Sequence, residues 1–262
     1  DADLVFHLAA AVSADCERDF DLGMRANVTG TRLVLAACRE TGGTPVVVFS
    51  SSLAVFGGTG SHPLPEVVTD STLPVPQSSY GTQKFIGEQL IADYSRKGFI
   101  QGRSVRLMTV SVRPGRPNGA ASGFLSGIIR EPLAGLPANS PVAPDTAVAL
   151  SSPARAVEGL LRAAEVSPRQ WGDPTAVNLP SVTVTVGEMV QTLERIAGPA
   201  AGALVGWEPD DAIAAIVRSW PARFATTRAA GLGLRPDDDF EAIVRSYLRD
   251  TGDQAEVPSQ NQ

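Results

Sequence analysis

Cysteine and histidine are scarce: the 262 residues hold two of each. Cys16 and Cys38 form no C-x-x-C pair. That argues against a cysteine/histidine zinc centre and suits a reducing cytoplasm. Positive charge is also short. At a net charge of -6 and with no basic run, the chain lacks the footprint of a general nucleic-acid binder. No apolar stretch approaches the roughly 18 to 20 residues of a membrane span. The apolar start, Leu4 to Val12, contains His7 and has no basic region before it, which makes it a poor signal peptide. There is no internal repeat, and no G-x-x-G-x-x-G turn between a strand and a helix. What is present is ordinary for a globular protein: 43% of residues are hydrophobic and 19% charged, enough for one large domain or two small ones.

The chemistry is concentrated in Ser50-Ser51-Ser52 and Tyr80-Gly81-Thr82-Gln83-Lys84. Positions i and i+4 of a helix share a face, so Tyr80 and Lys84 project side by side. An unperturbed tyrosine titrates near roughly 10, and an adjacent ammonium is expected to lower that value toward working pH. A serine hydroxyl aimed at the same point would hold a substrate oxygen. The set reads as alcohol oxidation or carbonyl reduction, with the hydride going elsewhere. An isolated Tyr-x-x-x-Lys is weak evidence, because helices often carry both residues.

Periodicity supplies the frame. Residues 4–10 read as a short apolar strand, 15–40 as one long helix ended by Gly42-Gly43, and 45–49 as a strand buried on both faces. Residues 57–79 read as a loop over a site, 80–97 as a helix, and 104–112 as a strand ending at Arg113-Pro114-Gly115. Further helices are expected at 124–130, 153–164, 186–196, 210–219 and 240–248, with a strand at 176–179. Alternating strands and helices predict an α/β fold, a doubly wound parallel sheet with its ligand crevice at the strand carboxyl ends. The acidic run Asp237-Asp238-Asp239 reads as favourable charge at a helix N-terminus. The polar residues 253–262 are expected to be disordered.

His7-Leu8-Ala9-Ala10, Asn27-Val28-Thr29-Gly30-Thr31, Ser52, Tyr80 and Lys84, in that order, resemble the extended short-chain dehydrogenase/reductase family. The likeness covers nearly the whole chain, and the stretch from Val112 to Leu133 is its most discriminating part. The resemblance implies a Rossmann-type domain at residues 1–115 and 148–180, and a smaller α/β substrate domain at 116–147 and 181–252. It implies Ser52, Tyr80 and Lys84 as the catalytic set, with Ser51 the alternative serine. Leu8, Ala9, Ala10, Asn27, Tyr80, Lys84 and Pro114 would line a bound NAD, with NADP left open. Ser13, Ser52, Asn118, Ser122 and Arg130 would face substrate, Arg130 as a carboxylate clamp. For Ser13 the plain alternative is a loop serine with no role, and for Arg130 it is an ion pair with Glu131.

The implied reaction is oxidation of the 2-hydroxyl of a small sugar acid, D-erythronate foremost. The implied setting is a cytoplasmic homodimer with no nucleic-acid or membrane partner. The alternatives are a nucleotide-sugar epimerase or dehydratase, L-threonine 3-dehydrogenation, and a non-catalytic NAD-sensing or scaffold role. The family's glycine turn and ribose-binding acid would precede Asp1 by analogy, in roughly 60 to 70 residues. The expectation is that residues 1–262 by themselves bind dinucleotide poorly and are inactive, which titration calorimetry with NAD checks.

Overall fold

The computed structural model describes residues 2–115 and 120–252. Asn118 and the terminal residues 253–262 lie outside the described residues. The first layer is a four-stranded, all-parallel sheet. Its strands are β1 (Leu4–His7), β2 (Val46–Ser52), β3 (Gln101–Leu107) and a short strand at Val177–Asn178, in that spatial order. Strand β2 sits centrally, with Phe6 opposite Val48 and Ser51 opposite Arg106.

Alternation along β2 explains how both faces are covered. Val47 and Phe49 pack with Leu35, Cys38, Ile91 and Ile100 on one face. Val48 packs with Val105, Ala163, Trp171, Val177 and Leu179 on the other. The first face is covered by α1 (Gly30–Glu40) and α2 (Ser79–Arg96). The second is covered by α3 (Pro153–Glu165), whose N-cap Ser152 accepts from Arg155 N–H and whose proline occupies the first turn. Strand β1 is an edge, with Leu4 and Phe6 on its exposed side.

The long helix expected over residues 15–40 is broken. Ser13–Arg18 and Phe20–Gly23 are short helical pieces, and Met24–Thr29 is a π-helical turn leading into α1. Asp19 ends the first piece in extended conformation and caps the second by accepting from Leu22 N–H. The π-turn contains Asn27, whose amide bonds away from its own helix, a frequent setting for such turns.

A second core gathers Val112, Leu125, Ile128, Ile129, Met189, Leu193, Ile243 and Val244. It lies among the helices Phe124–Leu133, Val186–Ala197 and Phe240–Thr251, beside a three-stranded sheet of Thr109–Val110, Ala147–Ser151 and Val182–Thr185. The strand Ala147–Ser151 pairs antiparallel with Val182–Thr185 and places Val148 and Leu150 in this second core. Asp239 caps the last of these helices, accepting from Ala242 N–H at 2.7 Å. Among the described residues, no helix is long and apolar enough to cross a membrane.

One buried ion pair clamps α2 to the sheet. Arg106 on β3 donates to Glu88 on α2 through two parallel bonds of 2.8 and 2.7 Å, and Ser51 on β2 donates to the same carboxylate. The two side chains are only 6% and 3% exposed. Removing one partner of such a pair strands the other charge. Glu88→Ala is therefore expected to lower stability by about 3–5 kcal/mol. Glu158→Ala, which breaks the exposed Arg155–Glu158 pair, should cost about 0–1 kcal/mol. Urea unfolding of both variants checks the contrast.

Candidate active site

Two chain segments deliver the sequence-predicted catalytic side chains to one place. The carboxyl end of β2 carries Ser52, the first turn of α2 carries Tyr80, and the next turn carries Lys84. Ser78 caps α2 by accepting from Gly81 N–H at 3.1 Å. Gly81 lets the helix approach the chain just after β2, because a methyl there would collide with the Ala54 carbonyl oxygen.

A cavity of about 350 Å³ opens at this point. Its wall includes Leu8, Ala10, Ser13, Ser52, Tyr80, Lys84 and Ser122 from the expected set. Ser13 Oγ also accepts from Ala121 N–H at 2.9 Å, which ties the segment after β1 to the turn carrying Ser122.

The serine run resolves by geometry. Ser51 is engaged with Glu88, so its hydroxyl belongs to the ion pair. Ser52 lies beside the Tyr80 phenol, whose pKa its hydroxyl lowers, and its Oγ accepts from Ala54 N–H at 3.1 Å. Ser50 contributes its carbonyl, which accepts from Lys84 Nζ at 2.7 Å. Lys84 is 3% exposed, and its ammonium lies 4.8 Å from the Phe49 ring centre and 5.7 Å from that of Tyr80.

The expected lowering of the Tyr80 pKa is not found. Burial pushes the phenol up to about 12; the Ser52 hydroxyl opposes this, and the Cys16 thiol adds to it. Burial pulls Lys84 down to about 8, against the opposing influence of Cys16 and Glu88. Both groups thus carry the mark of desolvation, which disfavours a phenolate and an ammonium alike.

Other expected residues lie elsewhere. Asn27 is buried beneath the site. Its Oδ1 accepts from Ala11 N–H at 2.8 Å, while its Nδ2 donates to Ala11 O at 3.1 Å and Gln83 Oε1 at 2.8 Å. The amide therefore braces the end of β1 against α2 and does not line the cavity. Ala9 and Pro114 are exposed and absent from its wall. Arg130 is absent too: its guanidinium donates to Arg113 O at 2.8 Å and to Glu131 at 2.6 Å. His7 is a core residue, with Nε2 2.8 Å from Thr31 Oγ1.

The sequence reading gave neither Arg113 nor Trp220 a place in the site, yet both reach the cavity wall. Arg113 stands at a strand-end turn beside Pro114-Gly115, which was the available signal. Trp220 arrives from a distant helix end and had none.

The position of Lys84 makes a pH prediction. Its folded value, about 8, lies below the ordinary 10.5, so the unfolded chain holds a proton that the fold releases between those values. Stability from this group rises with pH across that window. Lys84→Met should flatten the rise, as read from urea midpoints at pH 7.5 through 10.5; an unchanged slope would count against the assignment.

Residues 1–145 match the NAD dependent epimerase/dehydratase family. The chain is 50% identical over 252 residues to a D-erythronate dehydrogenase of Cupriavidus necator, covering 96% of this chain and 76% of the relative. It is 45% identical to a D-erythronate dehydrogenase of Haemophilus influenzae, covering 89% and 73%. A solved structure described as a nucleoside-diphosphate-sugar epimerase from Agrobacterium tumefaciens superposes with a TM-score of 0.87 at 42% identity, over 95% of this chain and 72% of that one. With a parallel sheet of Rossmann type and these likenesses along most of its length, the chain belongs to the NAD dependent epimerase/dehydratase family.

Proposed function

We propose that the protein oxidises the 2-hydroxyl of a small sugar acid to the 2-oxo acid, with D-erythronate as the leading substrate and NAD as hydride acceptor. The chain is a dehydrogenase acting on CH–OH groups, and its substrate is a small molecule. The observation that carries the reading is the meeting of Ser52, Tyr80 and Lys84 on one cavity at the carboxyl ends of parallel strands.

The residues present fit the nicotinamide–ribose end of a dinucleotide. Leu8 is 49% exposed and, with Ala10, leaves a flat apolar ledge on the wall that also holds Tyr80 and Lys84. When bound, the oxidised dinucleotide accepts the hydride and adds a positive charge that favours the phenolate. Ser52 Oγ orients the substrate oxygen, and Tyr80 Oη removes the hydroxyl proton. Lys84, held by the Ser50 carbonyl, lies beside the Tyr80 ring and would hold the cofactor's ribose. Its proximity to Tyr80 is the electrostatic part of the work, and the fixed backbone carbonyl is the positioning part.

The 42% likeness to a structure described as a sugar-nucleotide epimerase supports a second reading, redox-neutral turnover of a nucleotide sugar. The cavity volume of about 350 Å³ favours the first reading, since it stands at the small end of ligand sites. In the full-length protein, NADH should accumulate with D-erythronate, whereas conversion of UDP-sugars without NADH release would favour the rival. Tyr80→Phe should lose at least about a hundredfold in turnover, the size typical of a positioned general base. Near-normal turnover in that variant would remove Tyr80 from the role.

A further inference from the structure

Cations of the described residues are mostly engaged. Arg106 is bidentate on Glu88, Arg130 is held by Glu131 and a carbonyl, and Lys84 is held by Ser50 O. Arg228 reaches the carbonyls of Trp171, Asp173 and Thr175. Arg113 differs. It is half-buried and lines the cavity with Tyr80, Ser52 and Lys84. Its guanidinium makes no hydrogen bond or ion pair among the described residues, although its backbone is pinned twice. Arg113 N–H donates to Ser126 Oγ at 3.0 Å, and its carbonyl accepts from Arg130 at 2.8 Å. Val112, immediately before it, is fully buried in the second core. The backbone is thus fixed by the helix Phe124–Leu133 from two sides, and among the described residues the charged fork has no partner.

Among the described residues, the cavity wall contains no aspartate or glutamate. A desolvated cation on such a wall calls for an anion from outside, and a guanidinium matches a carboxylate through two parallel bonds. Burial, and next the nearby Arg130 charge, pull Arg113 down from the ordinary arginine value. Arginine nevertheless stays charged in proteins, and an incoming anion would relieve both effects.

We propose that Arg113 is the substrate-binding cation of this site and pairs with the carboxylate of a short hydroxy acid, while Ser52 and Tyr80 engage the hydroxyl. This rests on the oxidation reading given above for the same cavity. Arg130 acts one step removed, as a positioning residue that holds the Arg113 backbone. Acid recognition therefore comes from the loop between the two cores, and proton transfer comes from the first core.

The test pairs turnover with binding in the full-length protein supplied with NAD. Arg113→Gln should raise KM for D-erythronate at least about thirtyfold while changing kcat less. Arg113→Lys, which keeps the charge but loses the fork, should fall between that variant and the parent. Erythritol, which lacks the carboxylate, should be a poor substrate for all three, with no difference between them. Thermal melts confirm that both variants fold, and Arg113→Lys keeps the test open should Arg113→Gln fail to fold. Calorimetric titration with D-erythronate in the presence of NADH runs alongside. Turnover and binding unchanged by either substitution would overturn the assignment and leave the oxidation reading standing. Binding that needs Arg113 in a protein that releases no NADH would overturn the oxidation reading and support the assignment. Absence of D-erythronate binding to the parent protein would overturn the assignment.

Discussion

A carboxylate buried between a helix and a sheet sets the geometry of everything above it. Glu88 accepts two bonds from Arg106 on β3 and one from Ser51 on β2, so three elements meet on one side chain. Glu88 stands one turn beyond Lys84 on α2, and Lys84 one turn beyond Tyr80. Fixing the helix at Glu88 therefore fixes the height and rotation of both groups over the end of β2. It also engages the Ser51 hydroxyl, while Ser52 lines the cavity with Tyr80. A buried pair of this kind does little for net stability, because both charges lose their water. Its service here is registration: α2 cannot slide or roll without breaking the pair.

The electrostatics of the site follow from burial. Desolvation raises Tyr80 to about 12, which disfavours the phenolate, and lowers Lys84 to about 8. The residues fit a reaction whose charged partners arrive with the ligands. In the proposed reading, an oxidised nicotinamide cofactor would favour the Tyr80 phenolate, and a substrate acid paired with Arg113 would offset that cation. The apolar ledge at Leu8 and Ala10 and the absence of carboxylates among the described residues of the cavity wall fit such an assignment.

Much of the frame was legible in the sequence. The parallel sheet showed in the apolar run Val46 to Phe49, buried on both faces, and the i, i+4 spacing placed Tyr80 and Lys84 on one face of a real helix. The long helix over residues 15–40 was misread, because apolar spacing is blind to the extended residue at Asp19 and to a π-turn. The lowering of Tyr80 by Lys84 was misjudged for a related reason: adjacency can be read from spacing, but desolvation depends on what covers the pair. Arg130 drew attention as a cation in the right region, yet its neighbour Glu131 and the carbonyl of Arg113 occupy it. Which of two arginines has a free guanidinium is a property of tertiary packing, and no one-dimensional pattern carries it. Glu88 was missed although its signal was present, one turn beyond Lys84 on the same face.

In the proposed function, the hydroxyl to be oxidised lies between Ser52 and Tyr80, above a helix registered by Glu88. A crystal structure of the full-length protein with NADH and D-erythronate addresses it most directly. The account predicts the C2 hydroxyl within hydrogen-bonding distance, about 2.6–3.2 Å, of both Tyr80 Oη and Ser52 Oγ. A substrate bound in this cavity with that hydroxyl turned away from both groups, or bound outside the cavity, would contradict it.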